Sequence, residues 1–235
     1  MKQIPLPIAP EADASFESFV GGANLAASQH LQGLGPGAAP VYLWGPTGSG
    51  KSHLLRALAA QRRERGEQVG WLHADAALPW EAEEGWSLIV LDDCHTLDAA
   101  HQHAAFAVLI DTLARGVPVV AAGRVPPVDL ALRDDLRTRL AWGHVFQLHP
   151  LPEAEARAAL RREADRRGIF LSDEVMGYLL TRFDRDLKHL MALLDRLDGF
   201  GLAQQRPITV PLLKQMLLED TPGSTAQHAG PGTGA

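Results

Sequence analysis

A single cysteine, Cys94, stands among 235 residues, so no disulfide can form within the chain. The fold must be held by its core, and a chain of this length can bury a sufficient one. A lone thiol also fits a reducing compartment. No apolar run is long enough to cross a bilayer, which excludes a helical membrane span. The opening Met1-Lys-Gln-Ile-Pro-Leu-Pro-Ile8 is too short and too proline-rich in its apolar part for a secretory signal. The expected location is cytoplasmic, with no membrane partner. Excess positive charge is missing as well. The formal net charge is −6, so bulk electrostatics does not draw the chain to nucleic acid. The basic cluster Arg161, Arg162, Arg166 and Arg167 is interleaved with Glu163 and Asp165 and reads as a solvated helix face.

What the sequence does contain is an alternation of strands and helices. Short apolar runs at Val41–Trp44, Val69–Leu72, Ser87–Leu91, Val117–Ala122 and Val145–Leu148 read as strands. Helical patterns fall between them at 52–65, stopped by Gly66, and at 99–115, stopped by Gly116. Pro118 is tolerated at the beginning of its strand. This spacing predicts an α/β fold around a parallel sheet. After Pro150 the pattern becomes helical only, with helices expected at 153–167, 172–183, 186–200 and 210–219; Ser172 followed by two acids is a helix-start signal. The domain reading is an extended arm at 1–15, an α/β core at 16–150, a small helical lid at 151–220 and a disordered Gly/Ser/Thr/Pro tail at 221–235. No internal repeat is present.

The strongest motif is Gly45-Pro46-Thr47-Gly48-Ser49-Gly50-Lys51-Ser52, a G-x-x-x-x-G-K-[ST] loop that follows a strand and opens a helix. Its glycines let backbone N–H groups converge on phosphates, and the helix N-terminus adds positive potential. Lys51 is expected to reach the β- and γ-phosphates of ADP or ATP, and Ser52 to ligate Mg²⁺. The apolar run 88–91 delivers Asp92 and Asp93 at its C-terminal end, where open α/β sheets bind ligands. Asp92 is assigned to Mg²⁺, and Asp93 to polarising a water. Three further segments are weak by spacing alone. Arg139, within Leu136–Gly143, closes a helix and suits an arginine finger acting on a neighbouring subunit, although a surface arginine is the commoner meaning. Arg185, within Phe183–Leu187, opens a lid helix. Gln3, Leu6 and Ile8 are spaced as anchors that an extended arm plugs into a partner's pocket, or as an ordinary flexible start.

Taken in order, Phe16-Glu-Ser-Phe19-Val20, the phosphate loop, Asp92-Asp93, Thr138-Arg-Leu-Ala-Trp-Gly143 and Arg185-Asp-Leu187 resemble the AAA+ domain of the DnaA replication-initiator family. The resemblance spans about residues 15 to 220. It is combined with a Gln-Ile-Pro-Leu-Pro-Ile start and no C-terminal helix-turn-helix, and so is similar to the Hda branch of that family, DnaA homologues that inactivate the initiator. The resemblance implies that Gln3, Leu6 and Ile8 bind the DNA polymerase sliding clamp. It makes Arg139 the finger that completes the initiator's site, Arg185 a second nucleotide-sensing arginine, and Phe19 and Val20 neighbours of the adenine. It implies DNA contact only through the clamp, and head-to-tail contacts that permit self-association.

One departure affects catalysis. The fourth strand ends Ala121-Ala122-Gly123-Arg124, where related ATPases carry a polar side chain to orient the attacking water. Alanine cannot do so, hence nucleotide binding is expected with weak hydrolysis by this chain itself; Arg124 stands where it could reach phosphates. The rival readings are a self-sufficient ATPase of the helicase-loader kind and a DNA-binding ATPase of the transposition-helper kind. Net charge and the missing helix-turn-helix oppose the second.

Overall fold

The structure, a computed structural model, describes residues 14–183 and 187–219. The arm anchors Gln3, Leu6 and Ile8, the arginine Arg185 and the tail from 221 lie outside the described residues. The chain divides into two compact units at Glu155/Ala156.

The first unit is a five-stranded parallel sheet in the order β2-β3-β4-β1-β5. Its strands are β1 (Val41–Trp44), β2 (Gln68–Leu72), β3 (Trp86–Leu91), β4 (Val119–Gly123) and β5 (His144–Gln147). Four helices connect or flank them, α1 (Leu25–Gln32), α2 (Lys51–Glu64), α3 (Ala99–Ala114) and α4 (Asp134–Ala141). The central strands are apolar on both faces because both faces are covered. Successive residues of each strand enter opposite cores. Val41, Leu43, Leu88, Val90 and Val120 join Leu54, Leu55 and Leu58 of α2 and Leu31 of α1. Tyr42, Ile89, Leu91, Val119 and Ala121 join Val108 and Leu109 of α3 and Leu136 and Leu140 of α4.

The fourth strand differs from its expected start at Val117. Pairing begins at Val119, with Ile89 as partner. Pro118 has no N–H to give to the ladder, although its carbonyl accepts from the Ile89 N–H at 3.0 Å. Val117 instead donates to the carbonyl of Thr112, closing the end of α3.

The second unit is helical, with α5 (Glu153–Arg166) leading into α6 (Asp173–Arg182), α7 (Leu187–Gln204) and α8 (Val210–Glu219). Leu190, Leu193, Leu194 and Leu197 place one face of α7 in its core, at the three- and four-residue spacing of a single helical stripe. Ser172 caps α6 as its sequence context predicts, its hydroxyl accepting from the Val175 N–H at 3.3 Å. Glu163 on α5 is held by Arg166 and Arg167, and Arg167 also pairs with Asp195 on α7. No described helix is long and apolar enough to cross a membrane.

Candidate functional site

β1 is flanked by β4 and β5, and the chain leaves its C-terminal end at Gly45. The phosphate loop therefore stands at the sheet's carboxyl edge, between the ends of β4 and β5. Its glycines are fixed by close approach. A Cβ on Gly45 would collide with the Leu148 carbonyl just past β5. Gly50 has φ +95° and ends the loop in the left-handed region, and a Cβ there would lie 2.8 Å from the Phe19 ring. Helix α2 starts at the next residue, with its first N–H groups directed into the loop.

Lys51 is 6% exposed, an unusual degree of burial for an ammonium. Its Nζ donates to the carbonyls of Gly45 and Pro46, each at 2.8 Å, and to Ser49 Oγ at 3.4 Å. The charge is thus held inside the curve of the loop. Ser52 follows on the first turn of α2. The carboxylates come from the end of β3, one strand beyond β4 in the sheet. Asp92, at the end of β3, is 5% exposed, and its Oδ1 accepts from the Asp93 N–H at 2.9 Å. Asp93 has φ +46° and turns the chain sharply into a single 3-10 turn, Cys94–Thr96; Asp tolerates this conformation better than most residues. The Cys94 thiol is buried and its pKa is pushed up to about 12 by that burial, which makes it an inert part of the core.

Phe19 reaches this loop by lying against Gly50, and His53 of α2 holds its segment. His53 Nε2 is 2.9 Å from the Ser15 carbonyl and 3.3 Å from Ser18 Oγ, and the His53 ring is 5.6 Å from that of Phe19. Burial holds His53 below the ordinary imidazole range, so it is neutral at pH 7. Val20 follows on the same half-buried segment.

Asn24, at this edge, had no assigned role in the sequence. Asn24 is 3% exposed and makes a reciprocal pair with His149: its Nδ2 donates to the carbonyl and its Oδ1 accepts the N–H, both at 2.8 Å. The same Nδ2 is 3.4 Å from the Ser49 carbonyl, tying the loop to the chain beyond β5. His95 and Arg124 follow the ends of β3 and β4. No local pattern flags Asn24, because its partner His149 is distant in the chain.

Arg139 lies elsewhere. It is in the last turn of α4, with its guanidinium 6.0 Å from the Trp142 ring, and Trp142 is 68% exposed. The two line an open depression of about 470 Å³ with Phe106, Asp134, Asp135 and Thr138. No residue of the phosphate loop lines it.

The donor set fits a nucleotide: a glycine-built concavity, one buried ammonium inside it, a hydroxyl at the helix start and a buried carboxylate at the end of β3. Among the described residues there is no cluster of three or more His, Cys, Asp or Glu that could hold a metal ion.

Comparison with known proteins gives the same architecture. Residues 153–217 match the family model described as the Hda lid domain. Domain III of the replication initiation protein DnaA from Thermotoga maritima is similar over 90% of this chain and 98% of its own, at 18% identity and a TM-score of 0.71. AMPPCP-bound DnaA from Aquifex aeolicus is similar over 82% of this chain and 67% of its own, at 19% identity and a TM-score of 0.65. A single-substitution form of RuvB from Thermotoga maritima is similar over 89% of this chain and 72% of its own, at 17% identity and a TM-score of 0.63. The fold is the AAA+ fold of DnaA and RuvB, with C-terminal helices of the Hda-lid kind.

Proposed function

We infer that this chain, a DnaA-type AAA+ protein with an Hda-type lid, is a nucleotide-bound negative regulator of chromosomal replication initiation. It binds ADP or ATP on Gly45–Ser52. Lys51 meets the terminal phosphates, Ser52 and Asp92 hold Mg²⁺, Asp93 faces the water side, and Phe19 and Val20 border the base. Bound Mg²⁺ neutralises charge on the phosphate oxygens. The initiator's relatives support this ligand, since a DnaA of the same fold is AMPPCP-bound. With Ala122 at the end of β4 offering no polar atom, this chain's own hydrolysis is weak.

The regulatory step acts on the initiator. The arm anchors Gln3, Leu6 and Ile8 dock on the sliding clamp, and Arg185 of the lid senses the nucleotide. Arg139 enters the nucleotide site of an ATP-bound DnaA molecule in a head-to-tail contact. The observation that carries this reading is the setting of Arg139, an arginine at a helix end, beside an exposed tryptophan, in a depression that no phosphate-loop residue lines. A guanidinium supplied in trans stabilises charge on the transferring phosphoryl group and is worth roughly 10³–10⁵ in rate. The test is ATP turnover by the initiator with clamp loaded on DNA, with and without this chain. Stimulation by the wild type and none by Arg139→Ala is expected. Stimulation that survives Arg139→Ala at equal clamp occupancy refutes the assignment.

A further inference from the structure

Helix α1 carries no acid, lysine or arginine, and its one titratable side chain is His30. β5 is an edge strand of the sheet, beside β1. α1 is joined to this edge at Asn24 and at His30. Asn24 holds the backbone of His149, just past β5, through Nδ2 and Oδ1. The ring of His30 stands 4.2 Å from that of His144 and 5.2 Å from that of Phe146, both on β5. His144 is exposed and His30 half-buried, yet His30 Nε2 is itself buried and has no hydrogen-bond partner.

Among the described residues no acidic side chain compensates a positive charge on His30. The chain from 33 to 40 carries no titratable residue, and Tyr42 of β1 enters the core on the other face of the sheet. His144 is the titratable residue of β5, and His149 beyond it is exposed. On α2, Lys51 lies inside the phosphate loop, His53 is held at Ser15 with Arg56 acting on it, and Arg62 is closed by Glu67 and the Leu34 carbonyl. Arg63, Glu64 and Arg65 are exposed. Burial first, then His144, holds the His30 imidazole below its ordinary range. At neutral pH this ring is uncharged and packs between helix and strand. A second ring proton would give Nε2 a donor with no acceptor and set a positive charge against another imidazole.

We propose that His30 and His144 form an acid-sensitive joint, whose protonation releases α1 from β5 and, with α1, the Asn24 contacts that tie the phosphate loop to the chain beyond β5. Above the ordinary imidazole range His30 is neutral in folded and unfolded chains alike, and the joint costs nothing. As pH falls through that range the unfolded chain takes the proton first. The folded state then loses stability until its own ring titrates as well. α1 is vulnerable because it is eight residues long and buries only Ala27, Ser28 and Leu31. Its first turn follows Asn24, whose Nδ2 is 3.4 Å from the Ser49 carbonyl, so a loosened helix slackens the loop. The effect on nucleotide rests on the phosphate-loop assignment, whereas the joint itself does not.

The test measures urea unfolding by tryptophan fluorescence, and ADP binding by calorimetry with Mg²⁺, at about pH 7.5 and about pH 5.5, on either side of the imidazole range. The full chain is compared as wild type, His30→Leu and His144→Gln. His30→Leu keeps an apolar filler and removes the titrating group. His144→Gln changes an exposed residue and serves as the readout should His30→Leu misfold. On acidification the wild-type urea midpoint is expected to fall by roughly 0.5 M more than that of His30→Leu, with His144→Gln between them. Wild-type ADP affinity should fall a few-fold further than that of either variant. The other histidines are common to all three chains, so the difference between chains isolates the joint. Equal pH dependence in all three overturns it and leaves the two rings as packing alone. A midpoint difference without an ADP difference overturns the link to the phosphate loop. A wild-type chain that binds no ADP at either pH overturns the phosphate-loop reading, and the unfolding data then decide the joint.

Discussion

Asn24→Ala removes one small side chain and is expected to loosen both the core and the nucleotide site. The wild-type amide is 3% exposed and makes two short bonds to the backbone of His149, at 2.8 Å each, with a longer one of 3.4 Å to the Ser49 carbonyl. Each of the short neutral bonds contributes about 1 kcal/mol net. The side chain makes no capping bond to α1, so no cap is lost with it. His149 is exposed, so water can satisfy its freed N–H and carbonyl, which keeps the penalty for stranded groups small. The expected loss is about 2 kcal/mol. All five tryptophans, Trp44, Trp71, Trp80, Trp86 and Trp142, precede Glu155, so their fluorescence in urea reports the first unit alone. At a typical slope, that loss lowers the midpoint by roughly 1 M. The Ser49 contact adds a second readout: ADP affinity should fall a few-fold, and further in Asn24→Asp, where a donor becomes a negative charge beside the loop. A midpoint and an ADP affinity both unchanged in Asn24→Ala refute the idea that this amide ties the loop to the strand.

Lys51→Ala should reduce ADP binding in calorimetry by at least about tenfold, because a buried ammonium aimed into the loop is lost; an unchanged affinity removes the phosphate assignment. Changing Gln3 and Leu6 together to alanine should abolish capture by immobilised clamp while ADP affinity is retained, and retained capture rules out the arm as the docking element. Glu163→Gln should destabilise the helical unit by about 1 kcal/mol at neutral pH, since Glu163 holds Arg166 and Arg167 together. The Arg166 contact first, with Arg167, lowers the Glu163 pKa to about 2, so its contribution is complete above the ordinary carboxylate range and is lost as pH falls from there toward about 2. Circular dichroism melts of wild type and variant should converge at that end of the range, and a gap that stays constant with pH contradicts the ion-pair origin.

The strands were legible because each is a short apolar run bounded by turn residues, and both sheet faces are covered. That same coverage hid which face each residue takes, since Val41 and Tyr42 are equally apolar but enter different cores. The fourth strand was read two residues early because Val117 fits a strand by composition, whereas Pro118 breaks the ladder and Val117 serves the end of α3. The phosphate loop was legible as a contiguous motif, although the close approaches that require Gly45 and Gly50 come from Leu148 and Phe19 elsewhere in the chain. Asn24 was not, because its partner His149 stands far along the chain.

These placements separate two functions that a single-site ATPase would combine. On the proposed function, the first is holding nucleotide, which falls to the loop and Asp92. The second is stabilising phosphoryl transfer, for which the end of β4 supplies no side chain, since Ala122 is buried and Gly123 is crowded by Tyr42. The remaining candidate, Arg139, stands apart from the loop beside an exposed Trp142. A finger worth roughly 10³–10⁵ in rate corresponds to about 4–7 kcal/mol of transition-state stabilisation. On this division, Lys51→Ala and Arg139→Ala must fail differently. The first chain loses its own nucleotide and, with it, the shape that docks. The second binds nucleotide and clamp normally, yet leaves the initiator's turnover at its basal rate. Identical loss of nucleotide binding in both variants would instead place Arg139 in this chain's own site and return the protein to the class of self-contained ATPases.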